Sequence, residues 1–309
     1  SLGMGVQQIA AGLNHLWGID SGVQTQILLI GGITAIATVS VVLGVDKGGR
    51  ILSEWNMRIA LTFLLIVVVL GPTIFIFKSF VQNTGNYLSS ILELSTWTES
   101  YTGANWQNAW TVFYWGWWIA WSPFVGMFIA RISKGRTVRE FILGVLLVPS
   151  LVTFFWITAF GSTALHMTLL GDDTISKAVN DNVATALFVF LEDYPFAFYL
   201  NIIAIILIAG FFITSSDSGS LVVDNLTSGG KIDAPVGQRI FWALAEGGVA
   251  AVLLIGGGLQ ALQTATIVTG LPFAVILIVM CFSLYKGLSE DLKKLQKREL
   301  QKDLENYEE

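Results

Sequence analysis

A dense run of aromatic residues at 110–123, WTVFYWGWWIAWSP, is the stretch of this sequence whose side chains most clearly suit ligand binding. It holds five of the eleven tryptophans in the chain. On a helical wheel with about 100° per residue, six aromatic side chains share about 100° of arc, Trp118 lies at the edge and Trp115 points away. The six are Trp106, Trp110, Phe113, Tyr114, Trp117 and Trp121.

Indole rings in this arrangement are suited to binding a cation. Aromatic faces attract positive charge, and cages of aromatic rings bind quaternary ammonium groups, which have no N–H to donate to a carboxylate. Tight helix packing and a lipid-facing belt account for the rings less well, because membrane helix interfaces prefer small residues and interfacial belts place tryptophan at the two ends of a span. Gly116 and the Ser122–Pro123 pair flank the densest part, so we expect a break in the helix that exposes backbone groups.

The composition indicates an all-α integral membrane protein. Of 309 residues, 54% are hydrophobic and 13% are charged, where soluble domains carry about 25% charged residues. A spanning helix needs about 20 apolar residues. After a partial span at 1–13 we predict seven complete ones, at 25–45, 57–78, 105–131, 140–168, 195–221, 236–257 and 262–285.

The charged residues support this count. Positive residues concentrate on the cytoplasmic side of membrane proteins, and of the 17 lysines and arginines only Lys78 and Lys177 fall in the predicted outer segments. The carboxyl terminus is therefore expected in the cytoplasm, and the protein in the plasma membrane. Neither the net charge of −5 nor any basic cluster indicates nucleic-acid binding, and metal-cluster, phosphate-loop and dinucleotide motifs are absent from the sequence, so we do not expect an enzyme.

Three further segments are expected to be helical. Residues 80–94 and 175–194 show a helical amphipathic period and are predicted to lie at the outer membrane interface. The charged tail, 286–309, is either a solvated helix or a regulatory element, and we separate it from a membrane domain at 1–285. The chain opens as if inside the second half of a helix, which suggests an amino-terminally truncated fragment.

The aromatic helix with its following loop, WTVFYWGWWIAWSPFVGMFIARISKGRTVREF at 110–141, resembles the signature of the betaine/carnitine/choline transporters. The stretch FFITSSDSGSLVVDNLTSGG at 211–230 is similar to a later core helix of the same family. The resemblance implies twelve spanning helices, ten of them in two inverted repeats of five, and assembly as a homotrimer. This chain would then hold the last seven to eight helices and would lack the first four, including the glycine-rich third helix that completes the family's site.

The resemblance also implies roles for individual residues. The cage for the trimethylammonium group corresponds to Trp117, Trp118 and Trp121. The aromatic outer approach corresponds to Trp110, Phe113 and Trp115. A sodium site corresponds to the hydroxyls of Thr214 and Ser215 and the carbonyl of Phe211, with Phe124 near a second sodium site. The two hydroxyls could instead bond back to their own helix.

These residues predict a secondary active transporter that imports a quaternary-ammonium solute, with glycine betaine the expected solute, coupled to sodium for osmoprotection. Choline or carnitine transport or exchange, and a non-transporting membrane osmosensor, stay as alternatives. Membrane lipids are the other expected partners. Asp217 is either a functional intramembrane charge or a helix cap with an ion pair, and Glu246 lies too far along its helix to be expected to pair directly with Arg239.

Overall fold

The computed structural model describes residues 2–43, 50–230 and 235–308, and within them the chain is helical with no strand. The prediction of an all-α membrane protein is confirmed. The α-helices are α1 Leu2–Trp17, α2 Val23–Leu43, α3 Arg50–Leu70, α4 Thr73–Thr96, α5 Phe113–Ile132, α6 Val138–Ile142, α7 Val148–Ile157, α8 Thr163–Leu169, α9 Thr174–Asn182, α10 Ala186–Glu192, α11 Ala197–Thr227 and α12 Val236–Glu308.

Five helical stretches of the described chain are long and apolar enough to cross a membrane. They are Val23–Val42, Arg50–Leu70, Val138–Leu169, Ala197–Thr227 and Val236–Arg298. Two differences reconcile this number with the seven spans predicted. The aromatic helix predicted at 105–131 is not among the five, and the spans predicted at 236–257 and 262–285 both lie within the one stretch Val236–Arg298.

The boundary between α3 and α4 differs from the prediction of one span at 57–78. Helix α3 ends at Leu70, and α4 starts at Thr73, directly after Pro72. Proline has no N–H to continue the helical hydrogen bonds and fits the start of a new helix. The span is therefore shifted toward the amino terminus, and Pro72, which lies inside the predicted span, is a boundary between two helices.

The segments at 80–94 and 175–194 are helical as predicted, and the second has more breaks than its period suggested. Residues 80–94 lie inside the longer α4, and 175–194 divide into α9, a 3-10 turn at Val183–Thr185, and α10. Asn182 accepts a hydrogen bond from the amide of Ala184 and so supports the start of that turn. The tail from 286 is helical and continuous with α12 through Glu308, as predicted.

The chain forms two compact units, of which the first comprises Ser1–Ser100 and Phe124–Leu262. Within it α11 is the central helix, packed against α1, α2, α3 and α10. Glycines allow the closest approaches, because a Cβ at Gly5 of α1 would overlap the ring of Phe212 on α11, and one at Gly12 would overlap Phe188 of α10. Small residues at helix contacts are the usual solution in membranes, where van der Waals packing replaces the hydrophobic effect.

The second unit comprises Tyr101–Pro123 and Gln263–Glu309, and it contains the aromatic run. Its two segments approach closely at a pair of glycines. A Cβ on Gly270 of α12 would lie 2.8 Å from the carbonyl oxygen of Gly116, and one on Gly116 would lie 3.2 Å from the Cα of Ile267. Backbone contact of this kind needs glycine on both sides.

Helix α12 is interrupted at Gly257 and Gly258, whose backbone is not helical. Gly258 has φ of 59° and ψ of −141°, a combination that is open essentially only to glycine. The break falls between the two spans predicted at 236–257 and 262–285. The glycine run there therefore turns the chain where the sequence predicted a connection.

Candidate functional site

The aromatic run begins with a π-helical turn at Gln107–Val112 and continues as the α-helix α5. A π turn holds more residues per turn than an α-helix, and such turns are frequent at functional sites. The expected break at Gly116 and Ser122–Pro123 is wrong, because α5 runs through Pro123 and the irregular turn lies before it.

Four rings of this run contact one another, and we call them the aromatic stack: Trp110, Phe113, Tyr114 and Trp117. The rings of Trp110 and Tyr114 stack with centroids 6.2 Å apart, and those of Phe113 and Trp117 stack at 5.7 Å. Tyr114 joins the two pairs, with centroids 5.4 Å from Phe113 and 6.0 Å from Trp117. The wheel predicted one face for these four, and the contacts place them together.

The aromatic side chains of the run differ in how far they are exposed. Phe113 is buried, Trp117 and Trp121 are partly buried, and Trp118 and Trp115 are 72% and 67% exposed. In the described part of the chain, neither Trp115 nor Trp118 makes a ring contact with the stack. The structure thus brings two of the three expected cage residues to a partly covered face, and leaves the third, Trp118, open.

The expected sodium ligands lie on α11, in the other unit. Thr214 donates its hydroxyl to the carbonyls of Gly210 and Phe211, at 2.9 Å and 3.0 Å, which is the back-bonded arrangement that the sequence left open. Ser215 is partly buried. The helix is continuous here, so freed backbone carbonyls are not part of this arrangement, although each hydroxyl oxygen keeps a lone pair. Phe124 is also partly buried, on α5 directly after Pro123.

A group of polar residues between α2, α11 and the first part of α12 was not combined into a site by the sequence, and we call it the polar seam: Thr34, Ser40, Ser216, Asp217, Ser220 and Glu246. Asp217 is 3% exposed and accepts a hydrogen bond of 2.7 Å from Ser40. Its proposed role as a helix cap is wrong, since α11 continues to Thr227. The signal in the sequence that could have identified this polar group is Asp217 in an apolar helix with Ser216 directly before it and Ser220 three residues after it.

Arg239 pairs with Asp224 of α11, at 3.6 Å, and not with Glu246. Both side chains are largely buried. Glu246 is instead held by the hydroxyls of Ser216 and Ser220. The sequence argument against a direct bond between Arg239 and Glu246 is therefore confirmed.

A second polar group joins the carboxyl ends of α1 and α10 to the amino end of α11. Glu192 accepts a hydrogen bond from the amide of the fully buried Asn201 and lies 2.9 Å from the Nε2 of His15. Nearby, Tyr194 is buried in the connection between α10 and α11. Burial, followed by the adjacent charge of Asp193, raises the pKa of Tyr194 to about 12. The phenol is therefore neutral in any physiological state.

The chain matches the profile of the betaine/carnitine/choline family transporters over residues 1–293. It is 48% identical to a glycine betaine/proline/choline transporter of Vibrio parahaemolyticus, in an alignment covering 98% of this chain and 54% of that protein. It is 44% identical to a glycine betaine transporter of Acinetobacter baylyi, covering 96% and 45% of the two chains. With a glycine betaine transporter of Bacillus subtilis it shares 41% identity, covering 97% and 58%.

The chain thus spans about half the length of the curated relatives that it matches. The match includes the aromatic helix, the α11 stretch and every span in between. With apolar helices that cross the membrane several times, the chain belongs to the betaine/carnitine/choline family of membrane transporters.

Proposed function

We propose that the complete protein imports glycine betaine, coupled to sodium, and binds its trimethylammonium group on the aromatic stack and on Trp121, which follows Trp117 by about one helical turn. The observation that carries this proposal is the continuous contact of four rings on one face of a membrane helix. The faces of these rings attract a cation through their quadrupole, and they offer apolar contact to its methyl groups at the same place. The relatives named above, two of which are called glycine betaine transporters, support this choice of solute.

Choline is the second candidate solute. Its support is specific, because the Vibrio parahaemolyticus relative is named for glycine betaine, proline and choline. Both solutes carry the same trimethylammonium group and differ in the group at the other end. An aromatic stack alone does not distinguish them, so discrimination must come from polar contacts elsewhere in the protein.

The test of transport is solute flux in proteoliposomes that contain the complete protein. We expect labelled glycine betaine to accumulate when an inward sodium gradient is imposed and not when potassium replaces sodium. Choline is added as the competing substrate. Binding without flux would contradict transport and favour a sensor, whereas flux independent of sodium would contradict the coupling and leave the solute assignment intact.

Sodium coupling is assigned to the hydroxyls of α11, with Thr214 as the testable member. Replacing Thr214→Ala removes one hard oxygen, so the sodium concentration for half-maximal uptake should rise several-fold, while Thr214→Ser should restore it. The matched control is Thr269→Ala, because Thr269 also donates only to carbonyls of its own helix. Equal sodium dependence in Thr214→Ala and Thr269→Ala would show that Thr214 does no more than bond to its helix.

A further inference from the structure

The polar seam contains two carboxyl groups on neighbouring helices, each held by hydroxyl groups. Ser40 of α2 donates to Oδ2 of Asp217 at 2.7 Å. Ser216 and Ser220 of α11 donate to Oε2 of Glu246 on α12, at 3.2 Å and 3.0 Å. Since Ser216 directly precedes Asp217, the two carboxyl groups belong to one polar region that joins three helices.

The carboxyl of Glu246 rests on the backbone of α11. A Cβ at Gly219 would lie 3.2 Å from Oε1 of Glu246, so glycine at this position makes room for that oxygen. Gly219 is itself buried, as are Ser216 and Ser220. The carboxyl therefore occupies a place shaped for it between two helices.

Among the described residues of this region, two covered polar atoms have no hydrogen-bond partner. Asp217 is only 3% exposed, and its Oδ1 is fully covered and accepts no hydrogen bond. The hydroxyl of Thr34, on α2, is also covered and unpartnered, and it points at the backbone of Gly247, the residue after Glu246. Leaving a buried carboxylate oxygen without a donor is costly, because nothing replaces its hydration.

The surroundings of Asp217 and Glu246 supply no cation within the described residues. Helix α2 has no ionisable residue between 23 and 43. On α11 and α12 the other charged neighbours are already paired, Asp224 with Arg239 at 3.6 Å. The ionisable groups of the other helices packed on α11 are His15, Arg50, Glu54, Arg58, Glu192 and Asp193.

Five of those six groups bond elsewhere, and the sixth, Asp193, is itself an acid and supplies no cation. His15 is bonded to Glu192 at the carboxyl end of α1, and Glu54 to Arg50 and Arg58 at the start of α3. Among the residues that the structure describes, two negative charges in the seam would thus lack a counter-charge in an apolar setting. A proton on one carboxyl removes that charge, and a neutral carboxylic acid with an unpartnered oxygen costs less to bury than a carboxylate.

We propose that Asp217, with Glu246 beside it, forms an intramembrane proton-binding site, separate from the expected sodium ligands Thr214 and Ser215. The reaction is a simple exchange, in which a carboxylate takes one proton from water and becomes a neutral carboxylic acid. With the proton bound, α2 and α12 pack on α11 through neutral hydrogen bonds. When the proton leaves, an uncompensated charge favours a looser arrangement that admits water.

The direct test is infrared spectroscopy of the purified complete protein across a pH titration. The parent should show a protonated-carboxyl band at neutral pH that is lost in Asp217→Asn and reduced or shifted in Glu246→Gln. The matched control is Glu140→Gln, since the exposed Glu140 also accepts two bonds, both from Thr137. Asp217→Glu, which keeps the acid, should retain a band at a shifted position.

A second readout is the pH profile of solute uptake, which a purely structural role would not change. Asp217→Asn should flatten the profile, and Glu140→Gln should leave it unaltered. The proposal is overturned if the parent and Asp217→Asn give the same carboxyl band, or if adding sodium at constant pH removes the band, which would make the seam a cation site. Failure of uptake in the parent would refute the transport proposal alone, because the infrared test does not depend on flux.

Discussion

The aromatic stack of α5 and the polar seam of α11 hold their side chains in opposite ways. In the stack, large rings contact one another along one helix while neighbouring indoles such as Trp118 stay exposed. In the seam, small hydroxyls and carboxyls from three helices meet in a buried region. The contacts within the stack join residues one to four positions apart in the sequence, whereas the seam exists only because several helices pack together.

The contrast extends to where the backbone comes close. Beside the stack, two backbones meet directly at Gly116 and Gly270. Beside the seam, Gly219 leaves room for the carboxyl of Glu246. Glycine therefore allows two backbones to approach in one region and makes space for a polar side chain in the other. The following predictions test this difference, beginning with the largest effect.

Removing the largely buried guanidinium of Arg239, which pairs with Asp224 of α11, should have the largest effect on stability. Arg239→Ala leaves Asp224 covered and unpaired, and breaking a buried pair in this way costs about 3–5 kcal/mol of unfolding free energy. The measurement is denaturant or thermal unfolding of the purified complete protein. The neutral double variant Arg239→Gln with Asp224→Asn should recover much of the loss.

An exposed pair provides the control for that experiment. Glu54 and Arg50 lie 2.8 Å apart with both side chains largely exposed, and Glu54→Gln should cost at most about 0.5 kcal/mol. If Arg239→Ala were no more damaging than Glu54→Gln, the pair of Arg239 with Asp224 would not be buried as described above.

Removing an indole should affect the ligand much more than the fold. Trp121→Leu should lower affinity for a trimethylammonium solute by about 30-fold, which corresponds to about 2 kcal/mol for a desolvated cation–π contact. Affinity is measured by calorimetry or tryptophan fluorescence on the complete protein. Trp17→Leu, which removes an indole outside the aromatic run, should leave affinity unchanged.

A neutral ligand sharpens the same prediction. A tert-butyl analogue of the solute has the shape of the trimethylammonium group without its charge, so Trp121→Leu should change its binding little. Equal losses for the charged and neutral ligands would show that the rings act by apolar contact alone.

Forcing apart the backbones of Gly116 and Gly270, beside the stack, should have an intermediate effect on stability. Gly270→Ala places a methyl group 2.8 Å from the carbonyl oxygen of Gly116, and overpacking of this kind costs about 1–3 kcal/mol. Gly287→Ala, on the same helix with open space around it, is the control. An unfolding midpoint for Gly270→Ala equal to that of Gly287→Ala would contradict the close approach.

The smallest effect on stability is expected at the carboxyl end of α11. Thr227 accepts hydrogen bonds from Gln238 and from the indole of Trp242, both at 3.0 Å. Thr227→Val removes the shared acceptor at nearly constant volume and should cost about 1 kcal/mol of unfolding free energy. Thr269→Val loses only bonds within its own helix and should lower the unfolding free energy by less. If Thr269→Val were as costly as Thr227→Val or more so, the bonds from Gln238 and Trp242 to Thr227 would contribute nothing to stability.

The aromatic side of the comparison could be predicted from the sequence to a large extent. Ring contacts three and four residues apart follow from the helical period, so Phe113, Tyr114 and Trp117 were assigned to one face correctly. The position of the irregular turn was not predictable in this way. Proline at 123 suggested a break, but the π turn forms before it, where no residue type requires one.

The seam could not be predicted because its contacts join residues far apart in the chain. Ser40 and Asp217 are separated by 177 positions and meet only once α2 packs on α11. Periodicity indicates which face of a helix is apolar, but it does not show which helix covers it. For the same reason Asp217 was expected at a helix end, although it is fully enclosed.

The sequence by itself determined the membrane class, most of the helices, the family and the aromatic face, because composition, hydrophobic period and local motifs are properties of short segments. Only the tertiary structure decided that Pro72 separates two helices, that α12 breaks at Gly258, and that two carboxyl groups share one hydroxyl-lined region. Those features depend on which helices meet and how closely their backbones approach, and that is settled by packing among distant segments.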